Sequence, residues 1–288
     1  MSDVAIVTDS CSCIPDDMIE SLDITWIPYY IHREKDVLRD LVTIDYKEFY
    51  QWLPSAAALP QTASPGPGDY LTTYQKLAEE GKQSILSIHM TSHGSGAFQA
   101  ARAAASMAKE MIPQLQIEVV DTLNVAMCTG WIVIEAARAR LQEISFDTLI
   151  DKVRSMIPRV ELVQTADTLK YLYMGGRIGR ATNLVGSLLN IKPIIGMKEG
   201  VIVALGKVRS RRRAYERMVE LVLENVNPGE KLRVAFMHAA AREEAQKLKT
   251  MLESQVQVLE SIICEFSPAL GVHCGPGTAG ICYLRSLE

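Results

Sequence analysis

QSILSIHMTSHGSGAFQAARAAASMAKEM, residues 83–111, reads as three consecutive pieces. Gln83 to Met90 is a short apolar run rich in Ile and Leu, which suits a buried strand. Thr91 to Ala97 (TSHGSGA) is a loop of small and polar residues. Phe98 to Met111 is Ala-rich and suits a helix. A strand feeding a helix through a small-residue loop is the repeating unit of an α/β fold.

The same alternation extends on both sides. Upstream, Asp3 to Thr8 (DVAIVT) is a first buried strand, and Asp9, Ser10 and Pro15 are turn and helix-start residues. Ile24 to Ile31 (ITWIPYYI) is a second strand-like run. Leu59 to Pro67 (LPQTASPGP) carries three prolines and a glycine and reads as a rigid, non-helical loop. Asp69 to Lys82 suits a helix. Downstream, Gln116 to Asp121 is a strand and Leu123 to Leu141 a long amphipathic helix. The first part of the chain therefore implies a mostly parallel sheet flanked by helices.

The pattern then changes. Phe146 to Ile157 is helical and Val160 to Ala166 a strand. Thr168 to Tyr173 is a short helix ended by Gly175 and Gly176. Leu184 to Leu189 is a further helix. Ile191 to Gly196 and Val201 to Leu205, joined at Glu199–Gly200, form a hairpin, which is foreign to a purely parallel sheet. Lys207 to Asn225 is helical, Leu232 to Met237 a strand, Ala241 to Glu253 a helix and Val256 to Cys264 a strand. GVHCGPGTAGICYL, from Gly271, ends in a loop and a strand. With 288 residues the chain suits two domains, here 1–157 and 158–288, the second with a mixed sheet.

Composition narrows the classes of function. Apolar residues make up 48% of the chain, enough for a sizeable core, and the 12 Met suit the filling of irregular apolar space. The net charge of −4 argues against a nucleic-acid partner. No run approaches the ~18 apolar residues of a membrane span, so stable membrane insertion is not expected. The six Cys do not suit a disulfide scaffold in a chain of this size, and MSDVAIVTDS is acidic where a secretory signal is basic. A soluble protein of the reducing cytoplasm is expected. Cys11-x-Cys13 has no second ligand pair at metal spacing, and no Walker A, HExxH or dinucleotide fingerprint is present. Neither a metal nor another cofactor is expected.

Five segments could carry chemistry. TSHGSGA opens a helix at the carboxyl end of a strand, where α/β sheets bind ligands and unpaired N–H groups suit anions. Ser95 adds a hydroxyl there. Its surroundings fail the G-x-S-x-G nucleophile pattern, because position 93 is His and position 97 is Ala. Ser95 with His93 or His273 remains an alternative, that of a serine hydrolase, and a phosphate-binding protein is another. In PQTASP, Thr62 sits on a loop stiffened by prolines on both sides. His273 precedes a Gly275-Pro276-Gly277 turn and can donate to a carboxylate. Gly175 to Arg180 (GGRIGR) offers Arg177 to an acid or to domain docking, docking being favoured. Lys207 to Arg213 (KVRSRRR) sets positive charge at a helix start, where it is poorly placed, and so suggests an acidic partner or a phosphate.

Taken in order, VTDS (7–10), PQT (60–62), TSHGSGAFQAA (91–101), VVDT (119–122), TLKYLYMGGRIG (168–179), LLNIKPIIGMKEG (188–200), RSRRRA (209–214) and VHCGPG (272–277) resemble the DegV family over almost the whole chain. The resemblance implies a non-enzymatic two-domain α/β protein that encloses a long-chain fatty acid such as palmitate between its domains, with the acyl chain in an apolar tunnel. It gives Thr62 and Ser95 the carboxylate, His273 a supporting contact, and Arg209 a phosphate or partner contact. Some members present the acid to a kinase that forms an acyl phosphate, which leaves a fatty acid kinase open as a partner. Ala63-Ser64-Pro65-Gly66, Gly94 and Ala97 depart from the family pattern.

Overall fold

The computed structural model describes residues 3–187 and 191–286. The first sheet is parallel throughout, in the order β2-β1-β6-β7, with β1 Val4–Asp9, β2 Ile24–Ile27, β6 Ser84–His89 and β7 Gln116–Asp121. Helices α1 (Asp16–Ser21), α3 (Pro67–Glu79) and α4 (Ala97–Met111) belong to its crossovers. A small antiparallel sheet stands beside it, in the order β4-β3-β5, with β3 Tyr30–Arg33, β4 Asp36–Arg39 and β5 Gln61–Ala63. Helix α2 (Tyr46–Trp52) follows β4.

The second main sheet is mixed, in the order β10-β9-β8-β13-β11-β12. Its strands are β8 Val160–Thr165, β9 Lys192–Lys198, β10 Val201–Val208, β11 Lys231–His238, β12 Gln257–Glu265 and β13 Ala279–Arg285. Only β11 and β12 run parallel, joined by helix α9 (Arg242–Glu253). The hairpin of β9 and β10 turns at Glu199 and Gly200, both at positive φ, the conformation that matches the twist of a tight hairpin. The two α/β units thus carry a parallel four-strand sheet and a mixed six-strand sheet.

Helix α5 (Met127–Arg140) differs from the amphipathic helix that the sequence suggested. It is buried on every side from Met127 to Ile134, and again through Ala136, Ala137 and Ala139. A helix apolar all round belongs inside a core. Here α5 packs on β1 and β6 of the parallel sheet and on β8, β11 and β13 of the mixed one. Gly130 lets it approach so closely: a Cβ there would lie 2.6 Å from the Ser12 carbonyl oxygen. At its end, Arg138 and Glu135 join Arg233 and Glu260 in a ring of ion pairs with β11 and β12. Helix α6 (Phe146–Met156) then leads to β8.

Other expectations also shift. Ile24 to Ile31 is two strands in two sheets, because Pro28 has no N–H for a ladder and the chain turns there. The proline-rich segment holds a strand, β5, paired with β3. Lys207 and Val208 lie in β10, so helix α8 begins only at Arg211 (Arg211–Asn225). Short helix α7 is Lys170–Met174. The helix expected over 184–189 is, as far as Ser187, part of a 3-10 helix from Gly179; 188–190 lie outside the described residues. The segment before the last strand is a helix, α10 (Pro268–Cys274), capped by Ser267, and His273 is in its last turn instead of in a loop.

Candidate functional site

The loop from Met90 to Gly96 leaves the carboxyl end of β6 and opens α4. Thr91 anchors it to the other half of the molecule, its hydroxyl donating to the Gly200 carbonyl at 2.8 Å. Ser95 therefore stands at a fixed place. Its Oγ accepts from the Ala97 N–H at 3.2 Å and lies 2.6 Å from the Tyr29 hydroxyl. Strand β5 lies alongside: a Cβ on Gly96 would come within 3.3 Å of the Ser64 hydroxyl. Thr62, in the middle of β5, meets His273 of α10, with Oγ1 and Nε2 2.8 Å apart.

These side chains face one cavity of about 540 Å³. Thr62, Ser95, Tyr29 and His273 belong to its polar lining, with His93, Gln164 and Arg177, while Met90, Leu162, Leu172, Met197, Ile202 and Phe266 supply apolar wall. The walls come from β8, β9 and β10 of the mixed sheet, from segments that follow strands of the parallel sheet, and from β5 and α10. The hydroxyls of Thr62 and Ser95, far apart in the chain, are thereby brought to one space.

His273 is neutral at ordinary pH. Burial, with the Arg177 cation nearby as a smaller cause, lowers its pKa to about 4. Its Nδ1 has no hydrogen-bond partner and faces Gly175, where a Cβ would lie 2.4 Å away. Only glycine fits the end of α7 at that point. An orphaned buried N–H is rarer than an orphaned acceptor, so the proton belongs on Nε2, donating to Thr62. The Thr62 hydroxyl hydrogen is then free to point into the cavity.

Arg177 lines the cavity, and its exposed guanidinium donates to the Gly175 carbonyl at 2.7 Å. The sequence favoured domain docking for this residue; the structure puts it at the cavity rim. Arg209 is exposed and is not among the cavity-lining residues. The neighbouring cluster is mostly paired. Arg211 donates to the Gly277 carbonyl and bonds Asp167 at 2.8 Å, clasping the turn after α10. Arg212 and Arg213 both reach Glu216. Positive charge at this helix start thus has local carboxylates to meet it.

Ser95 is not paired with a histidine. Its partners are a phenol and a backbone amide, so the Ser–His pairing of a hydrolase is missing at the cavity. An Asp–His–Ser array does exist elsewhere: Asp9 Oδ2 is 2.7 Å from His89 Nδ1, and His89 Nε2 is 2.7 Å from Ser87 Oγ. All three side chains are buried, none lines the cavity, and Tyr74 caps Ser87 at 2.8 Å. Cys11 and Cys274 line the cavity with thiols pushed up by burial, that of Cys274 to about 12, so neither is an activated nucleophile. Among the described residues no His, Cys, Asp and Glu side chains gather as a metal site, and no helix is long and apolar enough to cross a membrane.

Tyr29 was missed in the sequence. It lies inside ITWIPYYI, which reads as uninterrupted strand, and its role follows from the break at Pro28. That proline, just past a strand whose carboxyl end faces the crevice, was the available signal.

The chain matches the model of an uncharacterised protein family, DegV, over residues 3–286. A DegV domain-containing protein of Clostridium acetobutylicum is 32% identical over 283 residues, with 98% of each chain covered. Among solved structures, a DegV family protein from Thermus thermophilus, described for its fatty acid binding, superposes with a TM-score of 0.91 at 28% identity, covering 98% of this chain and 99% of that one. DegV from Bacillus subtilis, described as a fatty acid binding protein, gives 0.87 at 30% identity, covering 99% and 100%. With a family match running from the first described strand to the last, on a backbone that superposes throughout, the chain belongs to the DegV family.

Proposed function

We propose that this protein binds a long-chain fatty acid, palmitate or a near neighbour, and performs no chemistry on it. The carboxylate is held by the hydroxyls of Thr62 and Ser95, with His273 behind Thr62, and the acyl chain lies along the apolar wall between residues 1–157 and 158–288. The observation that carries this reading is that two hydroxyl donors, far apart in the chain, line one cavity of about 540 Å³ together with an apolar wall. Such a volume lies within the few hundred to ~1,000 Å³ of small-molecule sites. Each buried methylene contributes about 0.8 kcal/mol, so a long chain supplies the affinity and the polar end supplies the orientation. The fatty acid binding described for the Thermus and Bacillus relatives supports the same reading.

The protein then acts as a cytoplasmic carrier in lipid transport or fatty acid metabolism. Arg209, exposed and in no ion pair among the described residues, is available to an acidic or phosphorylated partner such as a fatty acid kinase. Mass spectrometry of the denatured, freshly purified protein tests the reading: a fatty acid is expected in the extract, and delipidated protein should take up palmitate. Absence of lipid together with no uptake overturns it.

A further inference from the structure

Tyr29 is buried in the segment between β2 and β3, with 4% of its surface exposed, and lines the cavity. Its backbone is pinned on both sides. The Tyr29 N–H donates to the Ser10 hydroxyl at 3.1 Å, and its carbonyl accepts from the Asp40 N–H at 2.9 Å. The ring is therefore a fixed object, and its hydroxyl ends 2.6 Å from Ser95 Oγ.

The direction of that hydrogen bond follows from chemistry. A phenol is more acidic than an alkyl alcohol and is the better donor, while a serine oxygen is the better acceptor. Ser95 Oγ thus accepts from Tyr29 and also from the Ala97 N–H, which occupies both of its lone pairs. Its one hydrogen is left over and points into the cavity. Thr62 accepts once, from His273, and is likewise free to donate.

We infer that Tyr29 is a positioning residue that fixes Ser95 as a pure hydrogen-bond donor, so that the cavity selects ligands whose polar end only accepts, an ionised carboxylate above all, and rejects fatty alcohols and amides of the same chain length. This inference rests on the fatty-acid reading above and deepens it. At Ser95, a head group that brings its own hydrogen finds both acceptor sites taken and gains nothing from that hydrogen, whereas a carboxylate meets the Ser95 donor with either oxygen. Buried mismatches of this kind discriminate strongly between otherwise similar ligands.

The test compares palmitate with hexadecanol on the delipidated protein, by calorimetric or fluorescence titration, in the unaltered chain, Tyr29→Phe, Ser95→Ala and the double variant. The unaltered chain should prefer the acid by about 100-fold. Tyr29→Phe keeps the ring and frees Ser95 to turn. Palmitate affinity should fall about tenfold, hexadecanol affinity should hold or rise, and the ratio should collapse. In the Ser95→Ala background, Tyr29→Phe should add nothing.

A Tyr29→Phe protein that keeps the acid-to-alcohol ratio overturns the inference, as do additive effects of the two substitutions. So does equal binding of acid and alcohol by the unaltered chain, which needs no variant to fold. Failure of the unaltered chain to bind either ligand overturns the fatty-acid reading itself and this inference with it.

Discussion

Among the described residues are two histidine–hydroxyl pairs, and they are built oppositely. His89 and Ser87 are completed by Asp9 into the order of groups that activates a serine, yet every member is buried and Tyr74 covers the hydroxyl. His273 and Thr62 face open cavity, yet no carboxylate stands behind the imidazole, whose Nδ1 meets Gly175 instead. At the cavity no hydrogen bond joins Ser95 to a histidine; where such an array is assembled, it is buried. A resemblance of side-chain order to a catalytic triad carries no function without access. The buried array is a rivet joining β1 to β6, and the open pair is part of the cavity wall.

That contrast makes the two pairs respond differently to substitution. The largest effect is expected at the buried array. His89→Ala removes the imidazole that bridges Asp9 and Ser87 in the core, and leaving buried polar groups without their partner costs about 1–3 kcal/mol each. Denaturant unfolding reads this directly; a loss under about 1 kcal/mol would make the array incidental to stability. At the cavity, Thr62→Ala should leave stability nearly unchanged and weaken palmitate binding roughly 10–100-fold, as for loss of a hydrogen bond to a charged group. Titration of the delipidated protein measures it, and equal affinity would remove Thr62 from the grip.

Acid sharpens the comparison further. The His273 pKa of about 4 lies below that of an unfolded imidazole. The unfolded chain therefore takes its proton first, and stability is lost as pH falls from about 6.5 toward 4. Asp40 works in reverse. Burial raises its pKa from 3.8 to about 6, so the folded chain takes the proton first and stability is gained as pH falls from about 6 toward 4. The two nearly offset each other. Between pH 7 and pH 5, His273→Asn should make the protein gain about 2 kcal/mol relative to the unaltered chain, and Asp40→Asn should make it lose about 1 kcal/mol relative to it. Thermal melts at both pH values check the signs. The smallest effect belongs to Arg209, whose change to Ala should alter stability and palmitate binding by under ~0.5 kcal/mol, leaving partner binding as the place to look.

The alternation of strand and helix was legible up to β7 because buried parallel strands and their helices are long, continuous signals. Tyr30 to Arg39 was not read as a hairpin, since β3 and β4 are four residues each and half exposed. Helix α5 was taken as two-faced because sequence periodicity does not reveal a second sheet closing on the outer face. Of the site, Thr62, Ser95 and His273 were legible from their short, conformationally special surroundings together with the family resemblance. Tyr29 was not, because what matters in it is the atom that it touches across the fold, and Arg177 was singled out but read toward docking. The basic run misled for a related reason: Asp167 and Glu216, which meet most of its charge, approach only once the chain has folded.

Helix α5 also sets a constraint on how the chain is made. During synthesis it emerges with a face that only β8, β11 and β13 can cover, and β13 is translated far downstream. Until then a stretch of Ile, Val, Trp and Ala waits in water, a surface of the kind on which nascent chains stick to one another or to chaperones. Emergence of β13, and not completion of the parallel sheet, is therefore the moment at which that face can be covered.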